Sequence, residues 1–210
     1  MLNIALPKGR LGDKVYKLFD SIGYDCREVM TDSRKLVFEN KEKNVRYFMV
    51  KPSDVPVYID KGTADIGVVG KDVLEEGDFE SYELMDLKLG RCDMCVAGKR
   101  DYQEDIHRTL RVATKYPKIA KKYYLSVNRD IEIIKLNGSI EIAPISGLSD
   151  VIVDIVETGT TLKENNLKVI TKIMPISARL IANRSSYRFK GDLIEGLKKQ
   201  LNKKLVEDEV

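Results

Sequence analysis

The sequence predicts an α/β protein with largely parallel sheets, arranged as two lobes. Short apolar runs alternate with segments of helical periodicity along the chain, the pattern of strands joined by helices. Gly and Pro punctuate the junctions, where they stop helices and make turns. The 210 residues, 43% of them hydrophobic, suffice for one or two cores.

In order, Leu2–Leu6 is a short apolar strand, and Leu11, Val15, Leu18, Phe19 and Ile22 recur at helical spacing before Gly23 stops the helix. Leu36–Phe38 and Val45–Val50 flank the polar stretch Asn40-Lys41-Glu42-Lys43-Asn44 and predict a β-hairpin. Ser53 is suited to cap a helix that carries Val57, Tyr58 and Ile59 and ends at Gly62, with Pro56 in its first turn. Ala64–Val69 is another strand, after which Gly70, Lys71 and Asp72 open a short helix. Tyr82–Leu87 and Cys92–Ala97 are strands, and Arg111–Ala113 leads to a helix from Pro117 through Leu125. Ile131–Leu136 and Val151–Val156 are strands, and Lys168–Met174 and Arg179–Asn183 return the chain. Leu193, Leu197, Leu201 and Leu205 mark a last helix with a frayed tail, Glu207-Asp208-Glu209. Crossings near residues 88–92 and 174–178 are expected to divide the chain. The first lobe would then be discontinuous (1–90 plus 176–210) and the second would span 91–175.

Composition narrows the function. The 36 basic and 33 acidic residues are interspersed and leave a net charge of +3, an ordinary solvated surface and not the clustered basic face that nucleic acid demands. No apolar run approaches the roughly 18–20 residues that cross a bilayer. The N-terminus lacks a basic n-region and reads as a strand, so neither membrane insertion nor export is expected. Three cysteines suggest no disulfide framework and fit the reducing cytoplasm. Cys92 and Cys95 have C-x-x-C spacing, but only Cys26 and His107 remain as further ligands, so the pair is expected to pack as small apolar residues. A single histidine disfavours chemistry built on a histidine cluster. The nucleotide-binding glycine fingerprints and H-E-x-x-H are absent from the sequence.

The strongest chemical signal runs from Val151 to Leu162. Its apolar half is a buried strand. At the carboxyl end, Gly159 among Thr158, Thr160 and Thr161 frees backbone amides to curl around an anion, ahead of a helix start. Asp154 and Glu157 would repel a phosphate placed on them, and suit ribose hydroxyls directly or through Mg²⁺. A βα turn capped by threonine accounts for the same residues without a ligand. Lys8-Gly9-Arg10 follows the first strand, and its two cations can converge on one anion or sit on a solvated turn. Ser33-Arg34-Lys35 precedes the next strand, and Lys51-Pro52-Ser53-Asp54 opens a helix; a hairpin-edge charge pair and simple N-capping are their bland readings. Glu141, after the turn Asn137-Gly138-Ser139, can meet ribose hydroxyls or be an exposed loop acid. Gly67–Gly70 with Lys71 and Asp72 resembles a nucleotide-side turn, or is a tight strand–helix junction.

In this order the segments resemble the short form of ATP phosphoribosyltransferase, the catalytic subunit that opens histidine biosynthesis. The resemblance spans about Leu2 to Tyr187. It is carried by Leu6-Pro7-Lys8-Gly9-Arg10, Ser33-Arg34-Lys35-Leu36, Ser53-Asp54-Val55-Pro56, Gly62-Thr63-Ala64-Asp65-Ile66-Gly67-Val68-Val69-Gly70-Lys71-Asp72, Ala113-Thr114-Lys115-Tyr116, Gly138-Ser139-Ile140-Glu141-Ile142-Ala143-Pro144 and Asp154-Ile155-Val156-Glu157-Thr158-Gly159-Thr160-Thr161-Leu162. It implies a two-lobed α/β fold similar to type II periplasmic binding proteins, with the active site in the interlobe cleft. It also implies transfer of the phosphoribosyl group of phosphoribosyl pyrophosphate to N1 of ATP, with Mg²⁺ carried mainly by substrate.

By the same resemblance, Glu157–Thr161 would hold the 5-phosphate, and Asp154 and Glu141 the ribose. Arg10, Arg34 and Lys8 would act on the phosphates of the leaving pyrophosphate and ATP, and Lys51, Gly70 and Asp72 would also bind ATP. The chain has one helix where the long form continues into a regulatory domain, which implies a hetero-oligomer with a partner similar to the histidyl-tRNA synthetase core. Self-association as a dimer is also expected. Two positions depart from the family pattern: Asn166 where glycine is common, tolerable because asparagine accepts positive φ, and Lys51 where arginine is common. Two other readings are a type I phosphoribosyltransferase for a free base, which would leave Lys8, Arg10 and Arg34 without a role, and a non-catalytic two-lobed solute-binding module.

Overall fold

The protein was described as a computed structural model covering residues 1–29 and 34–208. Ser33 and Glu209, which figure in the reading above, lie outside the described residues. The chain forms two compact units. One comprises Met1–Leu74, Asp78–Gly90 and the chain from Ser177 on, and the other Glu75–Gly77 and Arg91–Ile176.

The first unit contains β1 (Leu2–Pro7), α1 (Arg10–Ser21), β2 (Val37–Asn40), β3 (Val45–Val50), α2 (Val55–Asp60), β4 (Ile66–Gly70), α3 (which starts at Lys71), and β5 (Tyr82–Asp86). Its sheet has the order β2-β3-β1-β4, continued by a later strand and then β5. β1 is parallel to both β3 and β4, so three neighbouring strands end at one edge. They read as near-continuous apolar runs because helices cover them. Ile4, Leu6, Phe19, Ile66 and Val68 are fully buried, and each such side chain contributes about 1.5–3 kcal/mol. α2 lies tight on β4 at Gly67, where an added Cβ would stand 2.8 Å from Val55 Cγ1.

The second unit contains β6 (Cys92–Lys99), β7 (Leu110–Thr114), α4 (Pro117–Ser126), β8 (Ile131–Lys135), α5 (Ile142–Ser146), β9 (Val151–Val156), α6 (Thr160–Glu164) and β10 (Leu167–Ile176). The sheet order is β10-β6-β9-β7-β8, with β8, β7 and β9 parallel. One face buries Met94, Val112, Tyr116, Ile119 and Val153, and the other Ala97, Ala113, Ile140, Ile152 and Leu162. At the start of β9, Asp150 accepts hydrogen bonds from the Arg111 backbone N–H (2.9 Å) and from the guanidinium groups of Arg111 (2.9 Å) and Arg108 (3.0 Å). Burial pushes its carboxyl up, but these bonds outweigh that and hold it at about 2, below the ordinary 3.8. A depressed carboxyl contributes stability that is complete above its unfolded value and is lost as pH falls through the folded one. Asp150→Asn should therefore cost about 1.5–3 kcal/mol at neutral pH. It should also flatten the fall in melting temperature between pH 4 and 2; an unchanged acid limb in a pH-resolved melt would contradict this.

The first unit is completed by β11 (Ala178–Ala182), which pairs between β4 and β5, and by α7 (Arg184–Phe189) and α8 (Gly191–Glu207). Among the described residues no helix is long and apolar enough to cross a membrane.

Five expectations need correction. The sheets are mixed: β1–β3, β1–β4, β7–β8 and β7–β9 are parallel, but β2–β3, β4–β11, β5–β11, β6–β9 and β6–β10 are antiparallel. A short connection such as the turn between Asn40 and Val45, which joins β2 to β3, does not allow a parallel crossover. The strand of the first hairpin starts at Val37, not Leu36. Ser53 does not cap a backbone N–H; its hydroxyl bonds Asp54 Oδ1 at 3.0 Å, and a 3-10 turn over Pro52–Asp54 precedes α2. The last helix buries Ile194, Leu197, Leu201 and Leu205 and exposes Leu193, because a strict four-residue repeat drifts off a face that advances 3.6 residues per turn. The described part of the tail continues α8 through Glu207, and the Asp208 carboxylate accepts from Lys204 Nζ at 2.7 Å.

Candidate active site

Ligands of open α/β sheets gather at the carboxyl ends of parallel strands. In the first unit that edge carries most of the cationic candidates. β1 ends at Pro7, immediately before Lys8-Gly9-Arg10. Its neighbour β3 ends at Val50, before Lys51, and the two ends are tied by Lys8 N–H donating to the Val50 carbonyl at 2.9 Å. β4 ends at Gly70, before Lys71 and Asp72, and Gly70 pairs with Ala178. β2 runs antiparallel to β3 and enters from this same edge: Met49 N–H donates to the Leu36 carbonyl at 2.8 Å, two residues after Arg34. Lys8, Arg10, Arg34 and Lys51 are exposed, whereas Gly70 is buried and Asp72 half-buried. Segments far apart in sequence thus bring their cations to one sheet edge.

In the second unit the equivalent edge holds the acidic and threonine-rich candidates. β8 ends at Lys135, and the turn that follows leads to Glu141, the N-terminal flanking residue of α5. β9 ends at Val156, and Glu157-Thr158-Gly159 leads into α6. Gly159 has φ +73°, the left-handed region in which a side chain is strained. Thr158 Oγ1 lies 3.0 Å from Thr160 Oγ1 and accepts from Thr160 N–H at 3.4 Å, which closes the loop. α6 has only five residues, so the amides and hydroxyls of the loop, more than any helix dipole, supply the positive lining. Asp154 alternates with Ile152 and Val156, both packed on the face that also carries Ile140, Ala143 and Leu162. Asp154, Glu141 and the loop therefore share one face and one edge. Asp154 also accepts from the Ile155 N–H at 2.8 Å, which turns one carboxylate oxygen toward its own backbone.

The pattern decides a chemical class: cations suited to phosphates, and a curled threonine loop beside carboxylates. The family model of ATP phosphoribosyltransferase matches residues 51–203. The chain is 64% identical over 206 residues to the ATP phosphoribosyltransferase of Brachyspira hyodysenteriae, covering 98% of this chain and 100% of that protein.

The chain belongs to the ATP phosphoribosyltransferase family.

That family catalyses the first step of histidine biosynthesis, and the chain is accordingly a pentosyl transferase. The enzyme of Lachnoclostridium phytofermentans is 50% identical over 210 residues, covering 98% of each chain. Among solved structures, the "ATP phosphoribosyl transferase (HisG:HisZ) complex from Thermotoga maritima" contains a chain with TM-score 0.84 and 37% identity, covering 99% of this chain and 100% of that one. It establishes the α/β, periplasmic-binding-protein-like fold class. Tv2483 bound to L-arginine, at 14% identity and TM-score 0.57, covering 97% of this chain and 85% of that one, is similar in fold alone. The free-base and solute-binding readings give way to the family.

Two features at the carboxyl edge of the second sheet were less visible in the sequence. α5 carries Glu141 at its start, yet its five residues are too few for periodicity to reveal. Lys115 directly follows β7, the strand between β9 and β8, and its ammonium lies 5.9 Å from the Tyr116 ring centre. Its position after the strand and its place in the segment Ala113-Thr114-Lys115-Tyr116 were the available signals. Asn166 has φ +56°, the conformation its side chain tolerates.

Proposed function

We propose that the chain joins N1 of ATP to the anomeric carbon of phosphoribosyl pyrophosphate, with the loop Glu157–Thr161 holding the 5-phosphate. The observation that carries this is the left-handed Gly159, φ +73°, between threonines at the end of β9. A glycine in that conformation lets the amides and threonine hydroxyls of the loop curl toward an anion. Asp154 and Glu141 accept hydrogen bonds from the ribose hydroxyls. The adenine nitrogen attacks through its lone pair, so no strong base is needed. As the bond to C1 of the ribose forms, the bond to pyrophosphate breaks, and negative charge grows on the departing group. Arg10, Arg34 and Lys8 stabilise that charge and the ATP phosphates, with Lys51, Gly70 and Asp72 at the ATP side.

Mg²⁺ would add charge neutralisation on the pyrophosphate. The residues fit an ion brought by the substrate: the candidate ligands, Asp154 and Glu157, offer carboxylate oxygens, the type magnesium takes. We also assign the chain a separate regulatory subunit similar to the histidyl-tRNA synthetase core, on the strength of the HisG:HisZ composition of the Thermotoga maritima complex. A dimer of this chain within that assembly, working in the cytoplasm, completes the reading.

Turnover of ATP and phosphoribosyl pyrophosphate, measured with and without such a partner, tests the whole. Thr158→Val should weaken phosphoribosyl pyrophosphate binding about tenfold, the worth of one hydrogen bond to an anion, and ATP binding much less. Equal losses for both ligands in calorimetry would overturn the loop assignment.

A further inference from the structure

We infer that Tyr16 is a positioning residue for the Lys8-Gly9-Arg10 turn, aiming its two cations by fixing the peptide from which the turn departs. The inference rests on the phosphate role assigned above to Lys8 and Arg10.

The peptide unit between Pro7 and Lys8 is held at both ends. Its N–H, on Lys8, donates to the Val50 carbonyl of β3 at 2.9 Å. Its carbonyl, on Pro7, accepts the phenol hydrogen of Tyr16, nine residues along the chain. The strand ladder supplies the first bond in any parallel sheet. The second comes from a side chain buried to 4% exposure on the core face of α1, packed in the same cluster as Leu6, Val15 and Phe19. Burial, and then the charge of Asp13 and the thiol of Cys26, push the phenol well above its ordinary value, and the bond to Pro7 holds it as the donor.

Gly12 makes this approach possible. A Cβ there would stand 2.1 Å from the Pro7 carbonyl oxygen and 2.5 Å from the Tyr16 hydroxyl, so any side chain would displace one or the other. Beyond the fixed peptide, Gly9 adopts φ +86°, and its carbonyl accepts the Asp13 N–H of the first helical turn at 3.1 Å. The turn that carries both cations is therefore anchored at the Pro7 peptide and again at the helix start. A hydrogen bond from Tyr16 to a bare carbonyl has little reason to be built so exactingly for packing alone, since a phenylalanine fills the same volume. Its effect falls on the orientation of the next two residues, where a displacement of about 1 Å is enough to cost up to a hundredfold in rate.

The test uses the full chain with its regulatory partner where turnover requires one. Tyr16→Phe keeps the ring and removes the donor; Gly12→Ala pushes the same carbonyl from the other side. Phe19→Leu is the control, a core change on the same helix that does not touch Pro7. Melting temperature, kcat, KM for both substrates and calorimetric binding of inorganic pyrophosphate are measured for each, with Arg10→Ala alongside. Tyr16→Phe is expected to lower kcat about ten- to a hundredfold and to weaken pyrophosphate binding. Gly12→Ala should change both in the same direction, while Phe19→Leu lowers the melting temperature and leaves both unchanged. Wild-type kcat and pyrophosphate binding in Tyr16→Phe, with Arg10→Ala impaired, sinks the inference and spares the role of the turn. Equal kinetic losses in Phe19→Leu and Tyr16→Phe would reduce Tyr16 to a packing residue. Wild-type turnover in Arg10→Ala would remove the role of the turn, and the inference with it.

Discussion

Arg34→Ala should lower kcat by about a hundred- to a thousandfold, the usual cost of one preorganised donor to a developing charge. Arg34 is exposed and follows directly on the undescribed residues 30–33. It contributes no packing to the core, so the melting temperature should hardly move. Its position comes from β2, which pairs antiparallel with β3 and starts at the edge where β3 and β1 end. Arg34→Lys should recover only part of the rate, because an ammonium keeps the charge but loses the planar fork that grips two phosphate oxygens. Steady-state kinetics with both substrates saturating would decide it: a variant as fast as wild type takes Arg34 out of the mechanism.

The second large effect is expected at Gly159. Gly159→Val puts a β-branched residue at φ +73°, a left-handed conformation that costs about 1–2 kcal/mol for an ordinary residue and more for a branched one. Space for the Cβ is not the problem, since it would meet Val156 Cγ1 at an ordinary 3.8 Å. The backbone relaxes instead, and the amides of Thr158 to Thr161 lose their common aim. Binding of phosphoribosyl pyrophosphate should weaken by about a hundredfold or more, as expected when two hydrogen bonds to a charged group are lost. ATP measured alone should bind as before. Gly159→Asn is the telling comparison, because asparagine tolerates the left-handed region and should retain much of the affinity. If the valine variant binds phosphoribosyl pyrophosphate as tightly as wild type, the loop does not grip the phosphate.

Chemistry was more legible in the sequence than packing was. The strand at Val151–Val156, its glycine-threonine loop and the cation pair flanking Gly9 were all readable as a candidate site, because such a loop is local: its turn, its amides and its hydroxyls come from consecutive residues. Short elements were not. α5 and α7, of five and six residues, carry too little periodicity to stand out; α7 is capped by the Asn183 side chain, which accepts from the Ser186 N–H at 2.9 Å, while distant Asp65 takes side-chain hydrogen bonds from Ser186 and Lys190. The face of α8 was misjudged by one residue, Leu193 for Ile194, since leucine spacing says nothing about which neighbour turns inward until a partner surface exists.

By itself the amino-acid order determined the fold class and the family and singled out candidate residues for phosphate and ribose, because each depends on local periodicity or on a short contiguous motif. Strand order, the mixture of parallel and antiparallel pairing, and the gathering of Lys8, Arg34, Lys51 and Gly70 at one sheet edge were decided only by tertiary structure. Pairing energies between strands depend on partners tens of residues away, and no local pattern encodes which edges meet. The clasp of Tyr16 on the Pro7 carbonyl belongs to the same class: a buried phenol on a helix reads as core until the folded chain brings a strand end within its reach.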